Sequence, residues 1–302
     1  MKKHVLADIS LLIVTIIWGS TFVLCKIALQ SMETFSFLAV RFFIASAILA
    51  LIFWKNLSRL DKNTLKNGLI IGLIMFFAFA TQTLGIYYTT PSKAGFITGF
   101  TVLLVPLIST LLFKKPPRKE SLIGIVFAIT GIVFLTMGSG GELSVSTGDI
   151  IVFVSTFGYA LQIIAISHYS TFSDSINLSI IQIGVVAVLS AVFALIFENP
   201  QIPTGAPVWT SILLTAVLAT AVAFTIQNTM QKHTTPTRAA LIYLGEPVFS
   251  AMFSYMILGE VLSPKGVFGC ALIFFGMIVS EVKMASLFKK PSKASGRFKK
   301  AS

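Results

Sequence analysis

Long apolar stretches and short polar clusters alternate along the whole chain. Ten of the apolar stretches are about 20 residues long, the length that an α-helix needs to cross roughly 30 Å of hydrocarbon. Three of them begin at a proline, where a helix needs no backbone N–H. The pattern predicts an all-α membrane protein with ten transmembrane helices, at 7–30, 34–54, 68–88, 91–113, 121–137, 149–168, 176–197, 208–231, 236–258 and 264–282. Pro106 and Pro247 lie inside two of these helices and should bend them.

The chain also repeats itself. The motif Thr-Thr-Pro-Ser-Lys-Ala at 89–94 recurs as Thr-Thr-Pro-Thr-Arg-Ala at 234–239, each seven residues after a glutamine (Gln82 and Gln227). Here the two copies lie 145 residues apart. Earlier in each copy the offset is 141, and it matches Asp8 with Asp149, Trp18 with Tyr159 and Arg41 with Gln182. Polar loops, which tolerate insertions, absorb the difference.

Five helices in each copy is an odd number, so the second copy must cross the membrane in the opposite sense to the first. We therefore predict two inverted five-helix repeats, a first at 1–138 and a second at 149–284. A linker at 139–148 would join them, and a basic cytoplasmic tail at 285–302 would follow. Inverted repeats of this kind are typical of secondary transporters.

Composition and charge agree with a membrane protein. Hydrophobic residues make up 55% of the 302 residues and charged residues 11%, against roughly 25% charged in soluble domains. A net charge of +12 would suggest nucleic acid as the partner of a soluble chain. Here 19 of the 23 Lys and Arg residues fall in segments that would share one side of the membrane with the N-terminus. The positive-inside rule makes that side the cytoplasm. We expect a multi-pass protein of a bacterial plasma membrane, with both termini cytoplasmic and no nucleic-acid partner.

Several short motifs then resemble a known family. Trp18-Gly19-Ser20-Thr21-Phe22 with Lys26, Arg41-Phe42, Gly245-Glu246-Pro247-Val248-Phe249 and Leu258-Gly259-Glu260 are similar, in order and spacing, to the EamA-type family of the drug/metabolite transporter superfamily. The resemblance covers residues 7 to 282. It implies two inverted halves around a central cavity and transport of small metabolites, often amino acids or their analogues, commonly as export. The second copy has Tyr159-Ala160 where the first has Trp18-Gly19, so the two half-sites are not chemically equivalent.

Depth in the membrane selects the candidate substrate-binding residues. Inverted repeats place the substrate at their interface near the bilayer midplane. With a rise of 1.5 Å per residue, the central positions lie about 15 Å along their predicted helices. We predict that the substrate is bound by Trp18, Arg41, Gln82, Tyr159, Gln227 and Glu246. The two aromatic residues are equally well explained as buried packing groups. The two glutamines suit either a zwitterionic ligand or a bond between helices.

The ionisable residues leave further alternatives open. A charge at the centre of a membrane helix costs about 2.5–3.5 kcal/mol, which usually marks function. Arg41 and Glu246 would therefore bind the substrate, or they would form a structural ion pair with each other. One cation and one anion suit a zwitterion better than a phosphate, which calls for an arginine cluster. Glu246 is also a candidate carrier of coupling protons. Lys26, near the outer end of its helix, is expected to reach the membrane surface.

These features predict a secondary transporter that is embedded in the lipid bilayer and exports a small metabolite by alternating access. An uncoupled channel-like facilitator and a non-transporting membrane scaffold are the alternatives. The sequence has no nucleophile with an acid–base partner, no phosphate loop and no Cys/His zinc spacing. We therefore expect no enzymatic activity, no cofactor and no metal.

Overall fold

A computed structural model describes residues 3–112, 119–136, 145–200, 203–243 and 245–281, and every regular element in those residues is a helix. The predicted basic tail and most of the predicted linker lie outside the described residues. In the first half of the chain the helices are α1 (Lys3–Ala28), α2 (Thr34–Ile52), the short α3 (Trp54–Leu57), α4 (Lys62–Tyr88), α5 (Pro91–Gly99), α6 (Thr101–Leu112) and α7 (Lys119–Thr136).

The second half repeats this order. Its helices are α8 (Thr147–Tyr169), α9 (Ser175–Phe197), α10 (Ala206–Leu214), α11 (Ala223–Met230), α12 (Pro236–Tyr243), α13 (Glu246–Leu258) and α14 (Pro264–Glu281). Between α10 and α11 the chain forms a π-helix, Thr215–Val222, and after α11 a 3₁₀ turn, Gln231–His233. All four pieces from Ala206 to His233 follow one another as a single apolar rod.

Seven helical stretches in the described residues are long and apolar enough to cross a membrane: α1, α2, α4, α5 with α6, α8, α9 and the rod from Ala206 to His233. The other three predicted spans coincide with shorter apolar helices, Leu122–Leu135, Glu246–Leu258 and Pro264–Gly276. The chain is thus a multi-pass, all-helical membrane protein. The count of ten spans stays a prediction.

Polar side chains from neighbouring segments satisfy the ends of the long helices. At the start of α4, Asp61 accepts hydrogen bonds from the backbone N–H groups of Asn63 and Thr64, both at 2.9 Å. At its other end, the ammonium of Lys26 donates to the carbonyl oxygens of Ile86, Tyr87 and Thr89 at 2.7 to 3.0 Å. Lys26 is half-exposed and binds the end of α4; that it also reaches the membrane surface stays a prediction. A cation favours a helix C-terminus, where the last carbonyls lack partners.

Helices α2 and α9, which match each other in the internal repeat, pack antiparallel. At one end, the side-chain amide of Asn177 donates to the carbonyl of Asn56 at 2.9 Å. At the other end, the Glu198 carboxylate accepts from the backbone N–H groups of Phe35 and Ser36, each at 2.7 Å. The start of each helix therefore lies beside the end of the other. Glu198 also supplies the negative charge that a helix N-terminus prefers.

Helices α7 and α14 also match in the repeat and are also antiparallel. A Cβ atom added to Gly131 would lie 2.6 Å from the carbonyl oxygen of Gly269, and one added to Gly276 would lie 2.5 Å from that of Gly124. The earlier residue of α7 thus meets the later residue of α14. Small residues at such crossings let two backbones approach closely.

This close approach predicts that Gly269→Ala destabilises the protein, whereas Gly266→Ala in the same helix does not. The new methyl group at position 269 would lie 2.5 Å from the Gly131 carbonyl oxygen and from the Leu135 nitrogen, and both are backbone atoms that cannot rotate away. Overpacking of this kind typically costs about 1–3 kcal/mol. At position 266 the nearest atom is a serine hydroxyl at 3.3 Å.

Thermal unfolding of both variants in the same detergent checks this prediction. Gly266→Ala should unfold at or above the wild-type temperature, since alanine is the better helix former. Equal melting temperatures for the two variants would contradict the packing of α7 against α14.

Candidate functional site

One cavity lies where the two halves of the chain meet, and all six residues predicted to bind substrate line it: Trp18, Arg41, Gln82, Tyr159, Gln227 and Glu246. The indole of Trp18 packs against both of the large buried apolar clusters in the described residues, so the cavity lies between them. Measured as the space open to the centre of a water-sized sphere, its volume is about 50 Å³. The cavity is narrow and mostly apolar. That its lining binds substrate stays a prediction.

Two helix interruptions, at matching places in the repeat, form part of the cavity wall. In the first half, α5 ends at Gly99 and α6 begins at Thr101; in the second, α12 ends at Tyr243 and α13 begins at Glu246. All four residues line the cavity. Pro247, expected inside a helix, instead lies in the first turn of α13, where its missing N–H is harmless. Broken helices of this type expose backbone groups at the binding sites of transporters.

The Arg41 guanidinium is 1% exposed and is held by the protein itself. Its Nε donates to the hydroxyl of Thr220 at 2.9 Å, and one terminal nitrogen lies 3.7 Å from the Cys25 sulfur. The rings of Phe42 and Phe79 each lie 5.2 Å from its central carbon. Aromatic faces stabilise a desolvated cation. Arg41 is therefore a packed, internally bonded charge.

The alternative of an ion pair between Arg41 and Glu246 is wrong for this structure. Neither Arg41 nor Glu246 belongs to the ion pairs found among the described residues. The hydrogen bonds of Arg41 go to Thr220 and Cys25. Glu246 is half-buried in the cavity wall at the start of α13. The carboxylate is thus available to a ligand or a proton, whereas the guanidinium is anchored through its Nε to Thr220.

Trp18 and Arg41 both bind the π-helix, Thr215–Val222. The indole N–H of Trp18 donates to the carbonyl of Ala219 at 3.0 Å, and Thr220, the acceptor for Arg41, donates to the carbonyl of Thr215 at 2.8 Å. Two first-half residues thus fix an irregular segment of the second half. π-Helical turns occur frequently at functional sites. The apolar pattern contained no signal for this one, because a π-turn keeps the same composition as an α-turn.

The two glutamines of the repeat have different surroundings. The amide oxygen of Gln82 accepts from the Tyr159 hydroxyl at 2.7 Å, and its amide nitrogen donates to the Thr98 hydroxyl at 3.1 Å. The side chain of Gln227 is fully buried, and neither of its amide atoms has a hydrogen-bond partner among the described residues. Sequence equivalence therefore does not carry over to chemical equivalence.

Ion pairs link the halves at two places in the described residues, and the sequence interpretation missed both. Lys93 lies 3.7 Å from the Asp149 carboxylate, which also accepts from the Thr89 hydroxyl. Arg238 binds Asp8 through two nitrogens, at 3.1 and 2.5 Å. In the repeat, Asp8 matches Asp149 and Lys93 matches Arg238. Each pair thus joins the acid of one half to the base of the other, and the two pairs are equivalent. The matched charges were a visible signal.

The cavity lies between these ion pairs. Lys26, near the end of α1, donates to the Thr89 carbonyl, which places that end of α1 beside the Lys93–Asp149 pair. Asp8 is 18 residues earlier in the same helix, which corresponds to about 27 Å. Trp18 lies between Asp8 and Lys26 and lines the cavity. One ion pair therefore stands at each end of the site.

The Arg41–Thr220 bond predicts that Thr220→Val destabilises the protein and Thr220→Ser does not. Valine has the shape of threonine but cannot accept from the buried guanidinium. Leaving such a donor unsatisfied costs about 1–3 kcal/mol, and more for charged groups. Serine keeps the acceptor. Unfolding temperatures in detergent provide the measurement, and a Thr220→Val variant as stable as the Thr220→Ser variant would show that Arg41 is held in another way.

Comparisons with known proteins agree with this architecture. The EamA-like transporter family matches the chain twice, at residues 5–137 and 146–281. A protein named an uncharacterized transporter from Archaeoglobus fulgidus is 38% identical over 282 residues, covering 93% of this chain and 88% of the relative. The Bacillus subtilis protein named uncharacterized transporter YyaM is 27% identical, covering 92% and 94%. A crystal structure with 20% identity shares the fold over 94% of this chain and 99% of its own, with a TM-score of 0.68. The chain belongs to the EamA-like transporter family.

Proposed function

We propose that this protein is a secondary transporter that moves a small metabolite across the plasma membrane by alternating access, in the direction of export. The observation that carries the proposal is a central cavity between the two halves with an equivalent ion pair at each end. Each ion pair bridges the halves, so opening one end for a substrate requires that one pair separates. Alternating access needs a gate at each end of a central site.

The packing of matched helices supports the inverted repeat within this proposal. Helix α2 runs antiparallel to its counterpart α9, and α7 to its counterpart α14. In a membrane, two antiparallel counterparts cross in opposite senses. With ten spans, the distribution of Lys and Arg then puts both termini in the cytoplasm and Lys93 at the outer end.

The exposure of the two ion pairs bears on how easily each gate opens. The side chains of the Arg238–Asp8 pair are 57% and 25% exposed, and those of the Lys93–Asp149 pair are 21% and 3% exposed. The Arg238–Asp8 pair is the exposed one, and exposed ion pairs contribute only about 0–1 kcal/mol, so thermal motion separates it readily. The Lys93–Asp149 pair is more buried, so separating it requires that water reaches the carboxylate. With both pairs formed, the space that the centre of a water molecule can occupy in the cavity is about 50 Å³, which is enough for a few water molecules. We take this conformation, in which both pairs are formed, as the closed one through which the cycle passes.

The two other functions predicted from sequence fit less well. A channel-like facilitator needs a continuous path through the protein, yet an ion pair joins the two halves beyond each end of this cavity. A scaffold has no use for a half-buried carboxylate in an internal cavity, since intramembrane ionisable groups usually mark function. Glu246 lines that cavity and has no arginine partner. We therefore assign it the role of carrying a proton whose transport is coupled to that of the substrate.

Alternating access predicts that breaking the two ion pairs exposes the cavity to opposite sides. Val102→Cys places a reporter thiol in the cavity wall, while native Cys25 and Cys270 are buried. Adding Lys93→Gln should increase labelling of this thiol by a membrane-impermeant reagent in intact cells. Adding Arg238→Gln, the equivalent change, should increase labelling in inside-out vesicles. We expect at least a severalfold change in rate, because each pair joins the two halves at its end of the site.

Three controls accompany this measurement. The chain without the cysteine at position 102 reports labelling of the native thiols. Lys265→Gln removes an exposed lysine near the start of α14 and should change neither rate. Exchanging the partners, as Asp8→Arg with Arg238→Asp, should restore the closed inner end. Increased labelling from the same side in both Gln variants, or from neither, would contradict alternating access.

A further inference from the structure

The most unusual polar group in the cavity is the amide of Gln227. It is fully buried and lines the cavity, and both of its hydrogen-bonding atoms lack partners among the described residues. Buried polar groups are almost always hydrogen-bonded, and an unmade bond costs free energy. An amide left in this state in a cavity wall is ready to bind a ligand.

The internal repeat explains why Gln227 is unpaired while Gln82 is satisfied. Gln82 bonds to Tyr159 and Thr98. The residues at the matching positions around Gln227 are Trp18 and Tyr243. The Trp18 indole donates to the Ala219 carbonyl instead. The Tyr243 hydroxyl lies close to the Gln227 amide, but the two groups are not in hydrogen-bonding geometry, and the hydroxyl donates to the Gln231 amide oxygen at 3.3 Å. In the duplicated site, Gln82 is therefore bonded within the fold, whereas Gln227 is not.

We propose that Gln227 is the residue that recognises the ligand, and that the ligand is a flat, uncharged molecule with a carboxamide or lactam group. A primary amide presents an N–H donor and a C=O acceptor side by side, and the edge of a second amide satisfies both at once. The amide nitrogen of Gln162, 2% exposed and also without a partner among the described residues, adds a second donor in the same cavity. This inference rests on the proposed function, since the ligand would be the transported substrate.

Two further features select this ligand class. A carboxylate ligand would accept only, leaving the Gln227 oxygen unpaired. The walls are aromatic: the Trp18 ring lies 5.2 Å from Phe224, and the Phe79 ring lies 5.5 Å from Tyr159, centroid to centroid. Such walls stack well against a flat ring.

Benzamide is the smallest probe with both features, and methyl benzoate and benzoate are its matched comparators. Binding to the full-length protein in detergent is measured by calorimetry. We expect benzamide to bind, and methyl benzoate and benzoate to bind at least about tenfold more weakly, because buried polar groups reject a ligand that cannot pair with them. Gln227→Met should weaken the binding of benzamide about tenfold or more.

A stability measurement separates this role from a structural one. Gln227→Met removes an unpaired amide and should unfold at or above the wild-type temperature. Gln82→Met, the same change at the matching position, should unfold at a lower temperature, because Tyr159 and Thr98 lose their partner. Equal destabilisation by both changes would show that Gln227 is bonded within the fold and would overturn the inference.

Three binding results would also overturn it: no binding of benzamide, unchanged binding in Gln227→Met, or equal or tighter binding of a comparator. These outcomes are distinct from failure of the proposed function. If benzamide does not bind but the thiol at position 102 is still exposed to opposite sides, the ligand class is wrong and the transporter proposal stands. If benzamide binds through Gln227 but that exposure does not alternate, the site stands without the transport cycle.

Discussion

Every polar group that enters a membrane needs a partner inside the protein, and this constraint organises the structure. Several of the partners at the cavity and at the helix ends come from the opposite half of the chain. Trp18 binds the Ala219 carbonyl, Arg41 binds Thr220, and Tyr159 binds Gln82. The Glu198 carboxylate satisfies the start of α2, and Glu260 accepts from the backbone N–H of Ser92 at the start of α5. The cavity exists where these bonds between halves leave space, so packing and site have one origin.

Duplication provides matched parts, and later substitution makes them different. The ion pairs at the two ends are the part that stayed equivalent, with Asp8 matching Asp149 and Lys93 matching Arg238. The glutamines are the part that diverged, since only Gln82 kept its two partners. Equivalent ion pairs at the two ends suit gates that open in turn. A single, asymmetric centre suits recognition of one ligand, which two identical half-sites would not orient.

The sequence predicted the helices well where apolar length and local chemistry decide the outcome. Helices start at Thr34, Pro91, Pro236 and Pro264, as the pattern indicates, and the six candidate site residues line one cavity. Membrane helices are legible in this way because a span needs a fixed number of apolar residues. The resemblance to the EamA-type family is confirmed by the family match over both halves.

What the sequence did not predict depends on contacts between distant segments. The hydrogen bonds of Lys26 to the end of α4 were not predicted, and they form because three carbonyls at that helix end lie within its reach. Arg41 was a candidate partner of Glu246 and instead bonds to Thr220 in the π-helix. Apolar periodicity indicates the depth of a side chain but not the element beside it. The ion pairs were the exception, since the repeat alignment already matched their charges.

The central claim is that the two ends open in turn, and pulsed electron paramagnetic resonance in lipid nanodiscs tests it most directly. Spin labels at Tyr88 and Val261 report on the end with the Lys93–Asp149 pair, and labels at Val5 and Phe172 report on the end with the Arg238–Asp8 pair; the side chains at these four positions are 44% to 77% exposed. The account predicts a short and a long distance at each end, with conditions that enrich the long distance at one end depleting it at the other. Long distances that rise together at both ends, or a single distance at each, would contradict it.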